Sequence, residues 1–280
     1  MKKITTFQIT EAVCQLCLKA AYRLPPDVKK ALENGYNMEV SATGRYVLTQ
    51  LLENAEIAST DNIALCQDTG MAVVFVEVGQ EVHIEGGSLT DAINEGVRRG
   101  YKMGYLRNSI FGDPLLRVNT GDNTPAVIHY DFVEGDKLKL VLAPKGFGSE
   151  NMSAVSMLKP SDGIEGVKRF ILGVVEKAGS NPCPPIFVGV GIGGTMEKAA
   201  FLAKKALLRP LGTGSIHQHI KMLEEKLLLS INCLGIGPAG LGGKVTALGV
   251  SIEIFPTHIA GLPVAVNICC HSLRHAEVVI

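Results

Sequence analysis

Glycine and proline punctuate this chain and mark where its regular elements begin and end. The heaviest breaks are Pro25-Pro26, the run Gly189-Val190-Gly191-Ile192-Gly193-Gly194 and the stretch Gly235 to Gly243, within a total of 31 glycines and 13 prolines in 280 residues. Glycine weakens a helix through its backbone freedom and proline through its missing N–H, so these residues bound the regular elements. Between breaks the apolar pattern alternates between helical and strand periods. It predicts helices over Thr6 to Arg23, with Thr6 or Thr10 as cap, Asp27 to Glu33, closed by Gly35, and Thr43 to Ile57, with Tyr46, Leu48, Leu51, Leu52 and Ala55 inward. A strand follows at Met71 to Val78, and Ser88 with Asp91 caps a helix reaching about Met103. Val127 to Val133 and Leu138 to Ala143 flank Glu134-Gly135-Asp136 as a β-hairpin. Later helices are predicted over Gly163 to Ala178, Met196 to Leu208 and Ser215 to Leu229, and strands over Ile186 to Val190, Lys244 to Ile254 and Pro263 to Ile268. With no repeat, low-complexity tract or linker, residues 1–280 read as one integrated domain of mixed α/β fold, with more than one sheet and helices packed around them.

Lys plus Arg and Asp plus Glu both number 27, so no net charge draws the chain to nucleic acid or to an anionic membrane. The richest apolar stretch, Gly261 to Cys270, is broken by Pro263 and Asn267 and falls short of a membrane span. The start, Met1 to Thr6, has no apolar core or cleavage site of a secretory signal, and a cytoplasmic protein is expected. Seven cysteines then imply buried thiols or metal ligands rather than disulfides. Cys14 and Cys17 fall inside a helical pattern without a second C-x-x-C, which favours core packing over zinc.

The chemistry concentrates at Cys66-Gln67-Asp68-Thr69-Gly70, where a thiol, an amide, a carboxylate and a hydroxyl occupy consecutive positions before a strand. Such a stretch can also be a plain turn whose Asp and Thr satisfy backbone amides. Leu106 to Pro125 is a polar segment whose Arg107 and Arg117 can be solvated or can grip an anion. Cys183 stands between Pro182 and Pro184, a more rigid placement than a packing cysteine needs. Two nucleotide-like motifs are weak. Gly235-x-Gly237-x-x-Gly240 has a helix before it and a strand after it, the reverse of a dinucleotide site; the Gly189 to Gly194 run, the better anion cradle, lacks the Lys and Ser/Thr of a P-loop. His217 and His219, two apart at a helix start, read as exposed rather than ligating. What remains is a set of thiols in rigid turns: Cys66, Cys183 and one of Cys269 and Cys270. Three thiolates can hold an iron–sulfur cluster with one iron left open to act as a Lewis acid, whereas electron-transfer clusters ordinarily take four.

These signatures, together with Leu106-Arg107-x-Ser109, Val118 to Pro125, Gly146-x-Gly148-Ser149-Glu150-Asn151, Cys183-Pro184-Pro185 and His258 to His271, resemble in order the alpha subunit of the iron–sulfur class I fumarate hydratases and L(+)-tartrate dehydratases. The resemblance spans nearly the whole chain and implies a [4Fe–4S] cluster on Cys66, Cys183 and Cys270, with Cys269 as the competing third ligand. It also implies a substrate pocket with Gln67, Arg107 and the Gly148 backbone binding a small dicarboxylate, and Asp68 and His258 orienting or relaying for a base. Fused relatives carry a second domain with further substrate contacts, so the resemblance implies a beta subunit, as an α2β2 heterotetramer, for activity. The reaction it implies is reversible hydration of fumarate to malate, with tartrate dehydration as the alternative. A non-catalytic thiol or metal-binding protein is the more distant one.

Overall fold

The computed structural model describes residues 2–280. In chain order its elements are β1 (Lys2–Thr5), α1 (Thr6–Tyr22), α2 (Pro26–Met38), α3 (Ala42–Asp61), β2 (Met71–Gly79), β3 (Val82–Glu85), α4 (Leu89–Met103), β4 (Val127–Val133), β5 (Leu138–Lys145), α5 (Phe147–Glu150), β6 (Ala154–Leu158), α6 (Gly163–Ala178), β7 (Ile186–Gly194), α7 (Met196–Ala206), α8 (Gln218–Asn232), β8 (Ala247–Thr257), β9 (Leu262–Cys269) and β10 (Ala276–Val279). The mixed α/β expectation holds, with strands in more than one sheet. Among the described residues no helix is long and apolar enough to cross a membrane. The chain's contacts cluster into two compact units, one of Met1–Pro25, Asn54–Phe147 and Arg274–Ile280, the other of Pro26–Glu53 and Gly148–Leu273.

In the first unit the strand order is β10-β5-β2-β4. The predicted hairpin between β4 and β5 does not form: β2 lies between them, parallel to β4 and antiparallel to β5. The reason is burial, since Val73 to Val76 of β2 are buried without alternation and such a strand takes the centre of a sheet. The Glu134-Gly135-Asp136 connection instead crosses the end of β2, with Gln80 and Glu81 amides donating to the Val133 and Gly135 carbonyls. Helices α1 and α4 cover this sheet with Ile9, Val13, Leu16, Ile93, Val97 and Tyr101. The cap of α1 is Thr5, one residue earlier than predicted, in a reciprocal capping box with Gln8. Ser88 caps α4 as predicted, accepting from the Asp91 amide. Cys14 and Cys17 are buried on α1, as their spacing suggested, and Cys17 packs where Gly100 of α4 leaves room.

In the second unit the order is β6-β9-β7-β8. β7 runs further than predicted and takes in the whole Gly189 to Gly194 run, so this run is strand and not an anion-cradling loop. Alternation along β7 explains it. Val188 and Val190 face the core formed with α6 and α8, while Gly189 and Gly191 face α7, where a side chain would overlap the Ala203 and Ala199 carbonyl oxygens. Helix α2 continues through Gly35 instead of ending there, because a Cβ at that position would lie 2.8 Å from Leu248 of β8: the glycine serves close packing rather than a cap. In α3, Leu48 is buried as predicted, whereas Tyr46 is 66% exposed. The start of β8 is held by Glu39, fully buried, whose carboxylate accepts from the amides of Val40, Ser41, Lys244 and Val245.

Candidate functional site

In the first unit, Cys66 to Gly70 form the turn before β2. Gly70 has φ +80, and a Cβ there would stand 2.8 Å from the Lys145 amide nitrogen of β5, so glycine is required for the turn to join the sheet. Asp68 shapes the turn with both carboxylate oxygens, Oδ1 accepting from the Gly70 amide at 3.0 Å and Oδ2 from the Phe147 amide at 2.9 Å. Thr69, buried, binds the Arg107 backbone twice: its hydroxyl accepts from the Arg107 amide at 3.0 Å and donates to the Arg107 carbonyl at 3.2 Å. Tyr101 donates to the Thr69 and Gly70 carbonyls at 2.9 Å, and the buried Asn123 amide donates to the Gly70 carbonyl at 3.1 Å. Burial pushes the Tyr101 phenol pKa far up, which keeps it a neutral donor. Around these fixed atoms Cys66 is half-buried, and Gln67 and Arg107 are exposed. The structure thus brings together four of the predicted site residues, Cys66, Gln67, Asp68 and Arg107.

The polar segment after Leu106 is neither a loose loop nor an arginine clamp on its own. Asn108, Asn119 and Asn123 side chains bond the backbone at Gly121, Asn108 and Ser109, which gives the Arg107 end a defined path. Arg117 lies with its guanidinium 4.3 Å from the centre of the Phe111 ring.

In the second unit the Cys183 turn leaves the end of α6. Pro182 and Pro184 are buried while Cys183 is exposed between them, with φ +54, in a conformation that costs a non-glycine residue about 1 kcal/mol. It is held by the glycine stretch that resembled a dinucleotide motif. The Ala239 amide donates to the Pro184 carbonyl at 2.8 Å, and Gly240 lies so close to Ser180 that a Cβ would overlap its side chain. That stretch is a brace for a cysteine turn. On the other side the His271 ring nitrogen Nδ1 lies 3.1 Å from the Cys183 carbonyl oxygen, which brings the Cys270 segment to the same place. Gly148 also borders it: the position of a Cβ there is 3.8 Å from the Asn181 carbonyl oxygen. Cys270 lies just past the end of β9, its Sγ 3.1 Å from the Ser272 hydroxyl. A hydrogen bond from the Cys269 side chain holds the Cys270 thiol well below the ordinary range against the upward push of burial, and the His271 charge and Ser272 hydroxyl add to it. Cys269 is buried within β9, in register with Phe187. Of the two adjacent thiols, Cys270 is the half-buried one and the one held toward the thiolate.

His258 is placed apart from this group, on the connection between β8 and β9. It lines an apolar cavity of about 440 Å³ with His219, Ile164, Val167 and Leu262, and its Nδ1 accepts from the Ala260 amide at 3.2 Å. His217 and His219 are exposed, their ring centres 5.9 Å apart. Within either unit, no group of three or more His, Cys, Asp or Glu among the described residues is arranged to hold a metal ion.

Two contributors escape a reading of the sequence. One is Glu150, which joins the Gly146 to Asn151 signature to the Asn267 signature by accepting from the Asn267 amide at 2.9 Å, with Lys204 paired to its other oxygen. The other is Arg274, 4% exposed, which donates from Nη2 to the Asp68 carbonyl at 2.5 Å across 206 residues of sequence. Their only sequence signal is position, Glu150 inside a motif and Arg274 four residues after Cys270.

A family model described as "Fumarate hydratase (Fumerase)" matches residues 10–279. A Methanocaldococcus jannaschii protein named "Putative L(+)-tartrate dehydratase subunit alpha" is 45% identical over 275 residues, covering 96% of this chain and 96% of its own. The "L(+)-tartrate dehydratase subunit alpha" of Escherichia coli O157:H7 is 32% identical over 276 residues, covering 98% of this chain and 91% of its own. With motif order and near full-length similarity in agreement, the chain belongs to the fumarate hydratase family and is a hydro-lyase chain.

Proposed function

We propose that this chain is the alpha subunit of a two-subunit [4Fe–4S] hydro-lyase that interconverts fumarate and malate. The observation that supports the reading is the Thr69 double bond to the Arg107 backbone, which ties the Arg107 motif to the Cys66 turn. The donor set fits the cluster in its chemistry. Cys66, Cys183 and Cys270 are cysteines outside any disulfide on braced turns, Cys270 is held toward the thiolate, and the Arg274 Nε and Nη1 are buried N–H groups without a hydrogen-bond partner next to the Cys66 turn. When bound, the cluster would supply a Lewis-acid iron for the substrate hydroxyl.

The chain's own residues do the rest. Arg107 is suited to fork onto one carboxylate, and Gln67 offers an amide beside it. In the hydration direction water adds to the double bond, its oxygen to one carbon and a proton to the other; dehydration removes both. Asp68 spends its carboxylate on the Gly70 and Phe147 amides and so acts by holding the turn. His258, with Nδ1 accepting, keeps its proton on Nε2 as a donor when neutral. The proton-accepting base belongs to a beta subunit, a partner that the names of the "subunit alpha" relatives support.

Tartrate dehydration is the second reading, favoured by those same names. Anaerobic kinetics of this chain expressed with its beta partner decide between them. The first reading expects turnover of malate and fumarate with tartrate at least about tenfold poorer in kcat/KM, a discrimination of roughly 1.4 kcal/mol. The reverse order establishes the second. Appreciable turnover by this chain alone would overturn the two-subunit proposal.

A further inference from the structure

Arg274 poses a charge problem that the first unit does not solve by itself. Its guanidinium is 4% exposed and permanently charged, yet only Nη2 is bonded, to the Asp68 carbonyl at 2.5 Å. Nε and Nη1 are buried without a hydrogen-bond partner, and no Asp or Glu carboxylate pairs with the group among the described residues. The Asp68 carboxylate, the nearest acid along that turn, is turned to the Gly70 and Phe147 amides instead. A buried charge left uncompensated costs several kcal/mol, so a chain that places one here must meet an anion at the same place in its working form. The bond to Asp68 puts the guanidinium on the turn that carries Cys66, two residues away.

We infer that Arg274 is the counter-charge for the anionic thiolate cluster assembled at the Cys66 turn, and a positioning residue for that turn. This rests on the reading of Cys66 as a cluster ligand. A ligated thiolate brings negative charge to the turn only on loading, and the two unbonded N–H groups are the donors that meet it. Retention and potential of a cluster both follow net charge and hydrogen bonding around its sulfurs.

The test compares Arg274→Lys, which keeps the charge, with Arg274→Gln, which removes it but keeps a donor for the Asp68 carbonyl. Each full-length chain is loaded with iron and sulfide under argon, then challenged with a chelator, and its midpoint potential and its gain in Tm on loading are measured. Arg274→Gln is expected to lose iron about tenfold faster, the equivalent of one hydrogen bond to a charged group, with a lower potential and a smaller gain in Tm; Arg274→Lys should stay near the unsubstituted chain. Because the gain is taken against each variant's own unloaded form, a purely structural weakening cancels. Arg274→Gln matching the unsubstituted chain in all three readouts would overturn the inference, as would Arg274→Lys falling as far as Arg274→Gln. Cys66→Ala separates the premise: if that chain retains its full iron, the ligand reading has failed rather than the role of Arg274.

Discussion

Thr69 is the residue that ties two separate motifs together. Its single hydroxyl makes both bonds to the Arg107 backbone, so replacing it by Val, which has the same shape, removes the tether without opening a cavity. Thr69→Val is expected to raise KM for the dicarboxylate about tenfold while leaving iron content and most of kcat intact, since two neutral hydrogen bonds are worth about 1–3 kcal/mol. Steady-state kinetics with iron analysis check this, and Thr69→Ser should recover most of the loss. At this scale the sequence was a good guide to which residue types matter and a poor one to what each does. Asp68 was expected to orient or relay for a base, and its two oxygens accept from the Gly70 and Phe147 amides. Arg274 drew no attention because its contact lies 206 residues away along the chain.

Among the elements, the glycine runs, whose nucleotide-like spacing was already weak in context, are packing devices. Gly189 and Gly191 are the smooth face of β7 on which α7 rests, and Gly235 to Gly243 braces the Cys183 turn. Helix-on-strand contact at that distance demands absence of a side chain, a requirement that looks the same in sequence as a phosphate loop. Gly191→Ala should therefore cost at least about 3 kcal/mol of stability by overpacking, as measured by denaturant unfolding. Glu39 makes a pH-dependent contribution of the same kind. Burial alone would raise its pKa, but four backbone amides more than offset this and lower it. With the folded value below the unfolded one of about 4.3, the stabilisation is complete above that pH and is lost as the pH falls through the lowered folded value. Glu39→Gln is expected to lose about 3 kcal/mol at pH 7, and the gap to the unsubstituted chain should narrow on acidification below pH 4; a constant gap would show that the carboxylate charge is not involved.

For the whole molecule, the proposed ligands are Cys66, Cys183 and Cys270, three cysteines outside any disulfide. Cys66→Ala, Cys183→Ala and Cys270→Ala should each lose most of the iron taken up in anaerobic reconstitution. The double change of Cys14 and Cys17 should keep it, because those thiols are buried packing groups whose pKa burial raises, and Cys269→Ala should keep more of it than Cys270→Ala, since Cys269 acts on Cys270 through a hydrogen bond. Loss in the Cys269 variant with retention in the Cys270 variant would reverse the ligand assignment. Composition, glycine and proline punctuation and motif order were enough, by themselves, for the mixed α/β class, the helical spans and the family, because those follow from local backbone preference and from residue type. The order β10-β5-β2-β4, the bracing of Cys183 by the second glycine stretch and the seat of Arg274 were decided only in three dimensions. They depend on which buried surfaces meet and which distant backbone groups need a partner, and neither is encoded in the neighbours of any one residue.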